Sequence, residues 1–329
     1  MHHPIREHPS VKLDEKDKAI LRQLEMDARQ PLSKIAKDVG LSKEVVNYRI
    51  KAMIRNKVIE LFITPYNYTR MGYFQSKLLV KFMNFNDAFE KKLLSFLKDV
   101  KHIYWITHCS GDYDIQLIFQ TRTMLQLEQS FFAFLNEFSK NITKRHFSII
   151  SKKYNLRHNC IYDDKIDMID IAEFYDKTEM PPETDFEIMK LLKRNCRMPA
   201  TEIAKNLKIT PATVSARIKS MVKSRWIKGF FIRINLPLIG YYVYNIFYKF
   251  KNMDDETEKS IMNYLCSRKD VGYIGKMIGG WDFDIELQVR NEYDLHRKLN
   301  EINSRLHSNI HDYTYLFTVK KYPLYTSEI

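Results

Sequence analysis

From Pro31 to Lys57 the chain reads PLSKIAKDVGLSKEVVNYRIKAMIRNK; its apolar residues return at helical spacing, lapse at Gly40 and Leu41, then return again. Val46, Ile50 and Met53 share one face of the second segment, which leaves Asn47, Tyr48, Lys51 and Arg55 on the outward face. Ser42 stands at the N-cap position of that segment. Two short helices around a tight turn predict a helix-turn-helix, whose second helix lies in the DNA major groove in proteins built this way. A preceding helix starts at Asp14, with acids in its first turn and Ile20, Leu21 and Leu24 on one face.

The pattern recurs 168 residues later without insertion or deletion. Pro31, Ile35, Ala36, Val46, Arg49, Ile50, Lys51, Met53 and Ile59 fall on Pro199, Ile203, Ala204, Val214, Arg217, Ile218, Lys219, Met221 and Ile227. The same offset carries Gly72 onto Gly240, Gly111 and Asp114 onto Gly279 and Asp282, and Lys153 and Tyr154 onto Lys321 and Tyr322. Solenoid repeats have periods of about 20–50 residues, so this unit is a set of whole domains and the chain is a tandem duplication.

In the second copy, Thr184–Arg194 supplies the first helix through Phe186, Ile188, Leu191 and Leu192. Thr210 and Pro211 open the second recognition helix as a cap and a proline at the first helical position. Its outward residues are Ala212, Ser215, Ala216, Lys219 and Lys223, where the first copy has Lys43, Glu44, Asn47, Tyr48, Lys51 and Arg55. The two helices are therefore expected to read different DNA sequences. Gly40 aligns with Lys208. A left-handed conformation costs a non-glycine residue about 1–2 kcal/mol, so the second turn either has another geometry or carries strain.

Each helix-turn-helix leads into a β-rich segment, VIELFITPYNY and WIKGFFIRINL, read as a short strand and hinge. The spacing then predicts strands at Lys77–Phe82, Ile103–Cys109, Tyr113–Phe119 and Arg145–Ile150, and helices at Ala88–Lys98 and Leu125–Phe138. The second copy repeats the order with Val243–Phe250, Glu256–Cys266, Gly272–Met277, Phe283–Val289, Tyr293–Leu306 and Ile310–Thr318. This β-α-β-β-α-β order is the ferredoxin-like arrangement, a four-stranded antiparallel sheet with both helices on one face. Its other face is left open, and the aromatic content of the strands implies that a second such sheet packs there.

The expected fold class is α+β, two winged-helix-like helix-turn-helix domains (14–64 and 183–232), each followed by a ferredoxin-like domain (65–154 and 233–322). Tails are expected at 1–13, where His2, His3 and His8 read as a disordered leader, and at 323–329. An acidic connector (155–182) carries Asp163, Asp164, Asp167, Asp170, Glu173, Asp176 and Glu179, with one short helix expected around Ile166–Tyr175. Those acids either mimic DNA toward a basic helix or form a solvated linker.

The net charge of +13 points to a polyanionic partner, and its distribution locates that partner. Residues 14–70 hold 12 Lys and Arg against 8 Asp and Glu, and residues 183–240 hold 12 against 4, which leaves 29 against 28 elsewhere. Nearly all the excess lies on the helix-turn-helix segments. Cys109, Cys160, Cys196 and Cys266 have no C-x-x-C pair and do not repeat at the offset, so neither disulfides, a zinc site nor a cofactor is expected. No apolar run approaches the ~20 residues of a membrane span, and the N-terminus lacks a signal peptide's apolar segment, so a soluble, cytoplasmic protein is expected.

The two helix-turn-helix segments with Arg49 and Arg217, the hinge glycines Gly72 and Gly240, and the turns Gly111-Asp112-Tyr113-Asp114 and Gly279-Gly280-Trp281-Asp282 together resemble the Lrp/AsnC family, the feast-or-famine transcriptional regulators of bacteria and archaea. The resemblance spans about residues 14–154 and 182–322. It implies double-stranded DNA as partner, pairing through the ferredoxin-like sheets, further homo-oligomerisation, and a small effector such as an amino acid near the G-x-x-D turns. Family members ordinarily carry one copy, so this chain is expected to be an intramolecular pseudo-dimer with unlike half-site readers.

The DNA-contact candidates are Lys43, Asn47, Tyr48, Arg49, Lys51, Arg55, Thr213, Ser215, Arg217, Lys219 and Lys223. Asn47 suits an adenine edge, and Lys51 and Arg55 suit phosphates. Arg49 and Arg217 border the buried stripe and meet either phosphate or an acid of the first helix. The effector candidates are Gly111, Asp112, Asp114, Gly279, Gly280 and Asp282, although hairpin geometry alone also explains the glycines and turn capping the aspartates. His108 and Cys109 adjoin the first turn, but Lys276 and Met277 replace them in the second copy, and no catalytic set is apparent. The chain is accordingly expected to be a transcriptional regulator and not an enzyme. Two alternatives share its architecture, a siroheme decarboxylase-like enzyme and an architectural DNA-binding protein.

Overall fold

The computed structural model describes residues 11–162, 168–173 and 177–323. The first copy runs α1 (Glu15–Met26), α2 (Leu32–Val39), α3 (Lys43–Arg55) and β1 (Ile59–Ile63). It continues with β2 (Phe74–Phe82), α4 (Asp87–Leu97), β3 (Ile103–Gly111), β4 (Ile115–Thr121), α5 (Met124–Phe138) and β5 (Ile142–Leu156). After β6 (Met168–Glu173) the second copy begins with α6 (Glu183–Arg194), α7 (Ala200–Leu207), α8 (Pro211–Lys223) and β7 (Phe231–Ile234). Its remainder is β8 (Tyr242–Phe250), α9 (Asp255–Cys266), β9 (Val271–Gly279), β10 (Phe283–Val289), α10 (Glu292–Leu306) and β11 (Ile310–Pro323). Among the described residues no helix is long and apolar enough to cross a membrane.

The chain divides into two compact units, one holding both helix-turn-helix segments and the other both ferredoxin-like segments. In the first unit α1, α3 and α8 start where a side chain satisfies orphan N–H groups, whereas α2, α6 and α7 start after a proline. Asp14 and Asp17 form a reciprocal capping box on α1, Ser42 caps α3 through the Val45 N–H, and Thr210 caps α8 ahead of Pro211. Ile20, Leu24, Ile35, Val46 and Ile50 bury one core, and Ile188, Leu192, Ile203, Val214 and Ile218 bury its counterpart. Gly40 ends α2 in the left-handed conformation, and Lys208 ends α7 in the same conformation at φ 55°. The second turn keeps the first turn's geometry and bears the strain.

The strand after each helix-turn-helix finds its partner in the other copy. β1 pairs antiparallel with β7, with Ile63 opposite Phe231 and Ile59 opposite Ile234, and a bridge joins Tyr66 to Ile227. Ile63 and Phe231 are equivalent residues of the two copies, and the Tyr66–Ile227 bridge is the Ile59–Ile234 pair with the copies exchanged. Antiparallel pairing of equivalent residues defines a local two-fold axis at Ile63 and Phe231. The connection of Ala28 N–H to the Phe230 carbonyl (2.7 Å) and of Cys196 N–H to the Phe62 carbonyl (3.2 Å) repeats that symmetry.

In the second unit the two sheets join edge to edge. Among the described residues, strands in the order β2-β4-β3-β11-β8-β10-β9-β5 close through a β2–β5 pairing into a ring of eight, and β6 adds to β5. Two cores lie between sheet and helices: Leu78, Val80, Phe82, Leu93 and Phe134 in the first copy, Ile246, Tyr248, Ile285, Leu299 and Ile302 in the second. A third, drawn from both copies, is lined by Leu79, Cys109, Tyr113, Ile150, Phe247, Met277, Trp281 and Leu316. The uncovered sheet faces thus cover each other.

Closure lengthens the last strand of each copy well past its predicted end. β5 runs 15 residues and β11 runs 14, because their second halves pair with β9 and β3 of the other copy. The segments SKKYNL (151–156) and VKKYP (319–323) have no periodic apolar signal of their own and become strands only through those partners. Gly111 and Gly279 lie where the joints cross, with φ of +136° and +125°. A Cβ on either would sit 2.9 Å from the Tyr315 carbonyl oxygen or 2.8 Å from that of Phe147. The expected connector helix is not formed: residues 168–173 are strand β6, drawn out by pairing with residues 152–156 of β5, and the rest of 163–176 lies outside the described residues.

Two substitutions test this account. Lys208→Gly should raise stability by a net of about 0.5–1 kcal/mol, since relief of about 1–2 exceeds the added unfolded-state entropy of about 0.5–1. Gly279→Ala should lower it by about 2–3 kcal/mol through the strained φ and the carbonyl contact. Denaturant midpoints at constant slope measure both.

Candidate nucleic-acid interface

The outer faces of α3 and α8 carry the residues that would meet DNA. Ser42 fixes the entry of α3, and Val46, Ile50 and Met53 anchor its inner face, so Lys43, Lys51 and Arg55 stand exposed and Tyr48 is 68% exposed. Among the described residues none of Lys43, Lys51, Arg55, Lys219 and Lys223 makes an ion pair, so their charges remain available to phosphates. Asn47 is half-buried and its amide makes no hydrogen bond among the described residues. On α8 the candidates are more self-contained. Ser215 Oγ donates to the Pro211 carbonyl at 2.9 Å, and Thr213 Oγ1 lies 2.8 Å from Thr210 Oγ1. Each hydroxyl keeps lone pairs for an outside donor.

Arg49 and Arg217 belong to a different part of the design. Arg49 bridges Asp14 and Asp17, both at 2.8 Å, and Arg217 binds Asp185, the equivalent of Asp17, at 2.9 Å. These pairs tie each recognition helix to the first helix of its own domain, the acid-pairing alternative that the sequence left open for both arginines. Accepting the Asp17 N–H, with Arg49 adding to it, holds the Asp14 carboxyl below its usual 3.8. Its contribution to stability is thus present above the ordinary carboxylate range and lost as pH falls through the depressed value.

Sequence reasoning missed the braces across the local two-fold axis. The Arg29 guanidinium stands 5.3 Å from the Phe230 ring centre and donates to the carbonyls of Cys196 and, at 3.0 Å, Met198. Arg197 stands 5.6 Å from the Phe62 ring centre. Burial lowers both guanidinium pKa values below the usual arginine range. The available signal was the offset itself, since Arg29 and Arg197, and Phe62 and Phe230, are identities at 168 residues.

The G-x-x-D turns are built as joints. Asp114 accepts from Lys81 Nζ at 2.7 Å and the Phe82 N–H at 2.9 Å, and Asp282 accepts from Lys249 Nζ at 2.9 Å and the Phe250 N–H at 2.7 Å. Both carboxylates staple a turn to the first strand of its own sheet. Gly280 abuts His146, while the exposed Asp112 accepts from Thr314 Oγ1 at 2.9 Å and lies 3.7 Å from Lys144 Nζ. His108 pairs with Glu90 at 2.8 Å, as Lys276 pairs with Glu258 at 2.6 Å, so this position ties a strand to a helix in both copies. Burial pushes the Cys109 thiol up to about 12, which removes it as a nucleophile near neutral pH.

The first unit is a pair of helix-turn-helix segments and the second a pair of ferredoxin-like segments. Residues 13–54 match the family model of the AsnC-type helix-turn-helix domain, and residues 182–228 match that of the winged helix-turn-helix DNA-binding domain. The regulator LrpA of Pyrococcus horikoshii is 32% identical over 112 residues, which cover 33% of this chain and 77% of LrpA. The regulator FL11 of Pyrococcus abyssi is 29% identical over 117 residues, covering 36% of this chain and 76% of FL11. The chain belongs to the Lrp/AsnC family of helix-turn-helix transcriptional regulators.

A solved structure of the siroheme decarboxylase NirDL, in complex with an iron-uroporphyrin III analogue, superimposes with a TM-score of 0.62 over 95% of both chains at 10% identity. That likeness is one of fold. It corrects the expectation that the chain is not an enzyme, which rested on the lack of a recognisable catalytic set, because an enzyme shares this fold along nearly the whole chain.

Separate roles predict separate effects. Arg49→Ala should cost about 1 kcal/mol of stability and leave the salt slope of DNA affinity unchanged. Lys51→Ala and Arg55→Ala should leave stability within about 0.5 kcal/mol and each reduce that slope by about 1. Thermal unfolding and binding titrations across a salt series distinguish them.

Proposed function

We propose that this regulator binds an asymmetric operator, with α3 and α8 each reading one half-site. The observation that carries the reading is the β1–β7 joint, which relates two helix-turn-helix segments by a local two-fold axis while their outer faces differ. Most of the affinity comes from phosphate neutralisation by the exposed lysines and arginines and falls steeply with salt. Asn47 reads an adenine edge, a contact worth about 1–3 kcal/mol of discrimination. Ala212, Ser215 and Ala216 give α8 a smaller, flatter reading face, suited to thymine methyl groups. The protein acts in the cytoplasm, and a small amino-acid-like effector near Asp112 and its counterpart turn modulates binding, a coupling that must be reciprocal.

Selection from a random duplex library at fixed salt, with the intact protein and its Asn47→Ala and Ser215→Ala variants, tests the proposal. The expected result is a site with two unlike halves, each relaxed by one variant. A palindromic site, or binding that tracks ionic strength without a motif, overturns it and favours an architectural role.

The likeness to NirDL along 95% of the chain favours a second reading, a decarboxylase acting on a polycarboxylate tetrapyrrole. Anaerobic incubation with siroheme, followed by absorbance and product mass, tests it. Loss of carboxyl groups supports this reading, and an unchanged spectrum and mass exclude siroheme as substrate.

A further inference from the structure

Against Cys109 and Phe247 of the third core lies a buried polar cluster, with Gln116 Nε2 3.1 Å from Cys109 Sγ and Lys77 Nζ 5.3 Å from the Phe247 ring centre. Lys77 on β2 is 4% exposed and Asp284 on β10 is fully buried, and the two form an ion pair between the copies. Lys77 Nζ also donates to Gln116 Oε1 at 3.2 Å. Asn245 Nδ2 donates to Asp284 Oδ1 at 3.0 Å, and Asn245 Oδ1 accepts from Gln116 Nε2 at 3.3 Å and Thr318 Oγ1 at 3.2 Å.

These four residues occupy two equivalent positions. Lys77 and Asn245 are one offset apart, as are Gln116 and Asp284. Each sheet therefore brings an amide and one charge, the first copy a lysine and the second an aspartate. Were two first copies to pair in the same way, each Lys77 would face Gln116 of its mate, and two buried cations would have no carboxylate. Two second copies would set Asn245 against Asp284 and bury two anions without a cation. A buried charge deprived of its partner is strongly unfavourable, so only the unlike pairing is satisfied.

We propose that Lys77 and Asp284 select pairing of the first copy with the second and exclude pairing between like copies of two chains. The interior pair thus keeps two unlike recognition helices in one assembly, whatever those helices read. It also explains why a duplicated chain retains an ion pair where apolar residues would pack at least as stably.

Differently tagged full-length chains, unfolded and refolded together, provide the test, with native mass spectrometry counting mixed complexes against mixed wild-type chains. A Lys77→Asp chain and an Asp284→Lys chain each bury like charges alone, but satisfy both pairs when exchanged with each other. Mixed one-to-one complexes should exceed the wild-type background by at least about tenfold, equivalent to about 1.4 kcal/mol. The Lys77→Asp/Asp284→Lys double variant should return to that background. Mixing no greater than wild type overturns the proposal. Should the single variants fail to refold together, Lys77→Asn/Asp284→Gln decides, since it gives both copies the same neutral pair. Exchange between its tagged chains above background supports selection by charge, and exchange at background overturns it.

Discussion

The structure of the ferredoxin-like unit depends on backbone hydrogen bonds that cross from one copy to the other. A four-stranded antiparallel sheet with helices on one face has an exposed face and unpaired edges. Here β3 pairs with β11 and β5 with β9, and both problems are solved together by a closed ring. Closure accounts for the length of β5 and β11 and for glycine at positions 111 and 279, where another strand's carbonyl leaves no room for a Cβ. It also removes water from the interior, which turns the charge on Lys77 and Asp284 from an incidental feature into a constraint on pairing.

The helix-turn-helix unit follows the same logic with fewer bonds. One short ladder, β1 with β7, and two arginine–phenylalanine braces hold the segments about a local two-fold axis. Charge is then divided by role. Arg49 and Arg217 are spent on acids of the first helices, whereas Lys43, Lys51, Arg55, Lys219 and Lys223 face outward without ion pairs among the described residues. The backbone is close to symmetric and the reading surfaces are not, which is the physical basis for expecting an asymmetric DNA site. The fold shared with NirDL shows that a duplicated body of this kind also accommodates catalysis in another protein, so function rests on side chains rather than on architecture.

Much of this was legible in the chain itself. The helical stripe of Val46, Ile50 and Met53, the caps at Ser42 and Thr210, the β-α-β-β-α-β rhythm and the duplication are local or periodic signals, and each corresponds to an element of the structure. The outward placement of Lys51 and Tyr48 followed from the same periodicity. The role of Arg49 did not, because a residue at the border of a buried stripe reaches either solvent or a neighbouring helix, and only the position of Asp14 and Asp17 decides between them. The strand character of residues 151–156 was hidden for a similar reason, since SKKYNL has no apolar pattern until a partner strand is present, and MIDIAE at 168–173 is short enough to be read as helix or strand until it pairs with β5.

By itself the sequence determined the helices and strands of each copy apart from β6 and the ends of β5 and β11, their order, the twofold repeat and the faces each helix presents, since those depend on residues a few positions apart. Tertiary structure alone decided which edges join, which charges meet and which glycines are indispensable. Those outcomes depend on groups far apart along the chain, from the 35 residues between Asp14 and Arg49 to the 207 between Lys77 and Asp284, whose proximity no local pattern encodes.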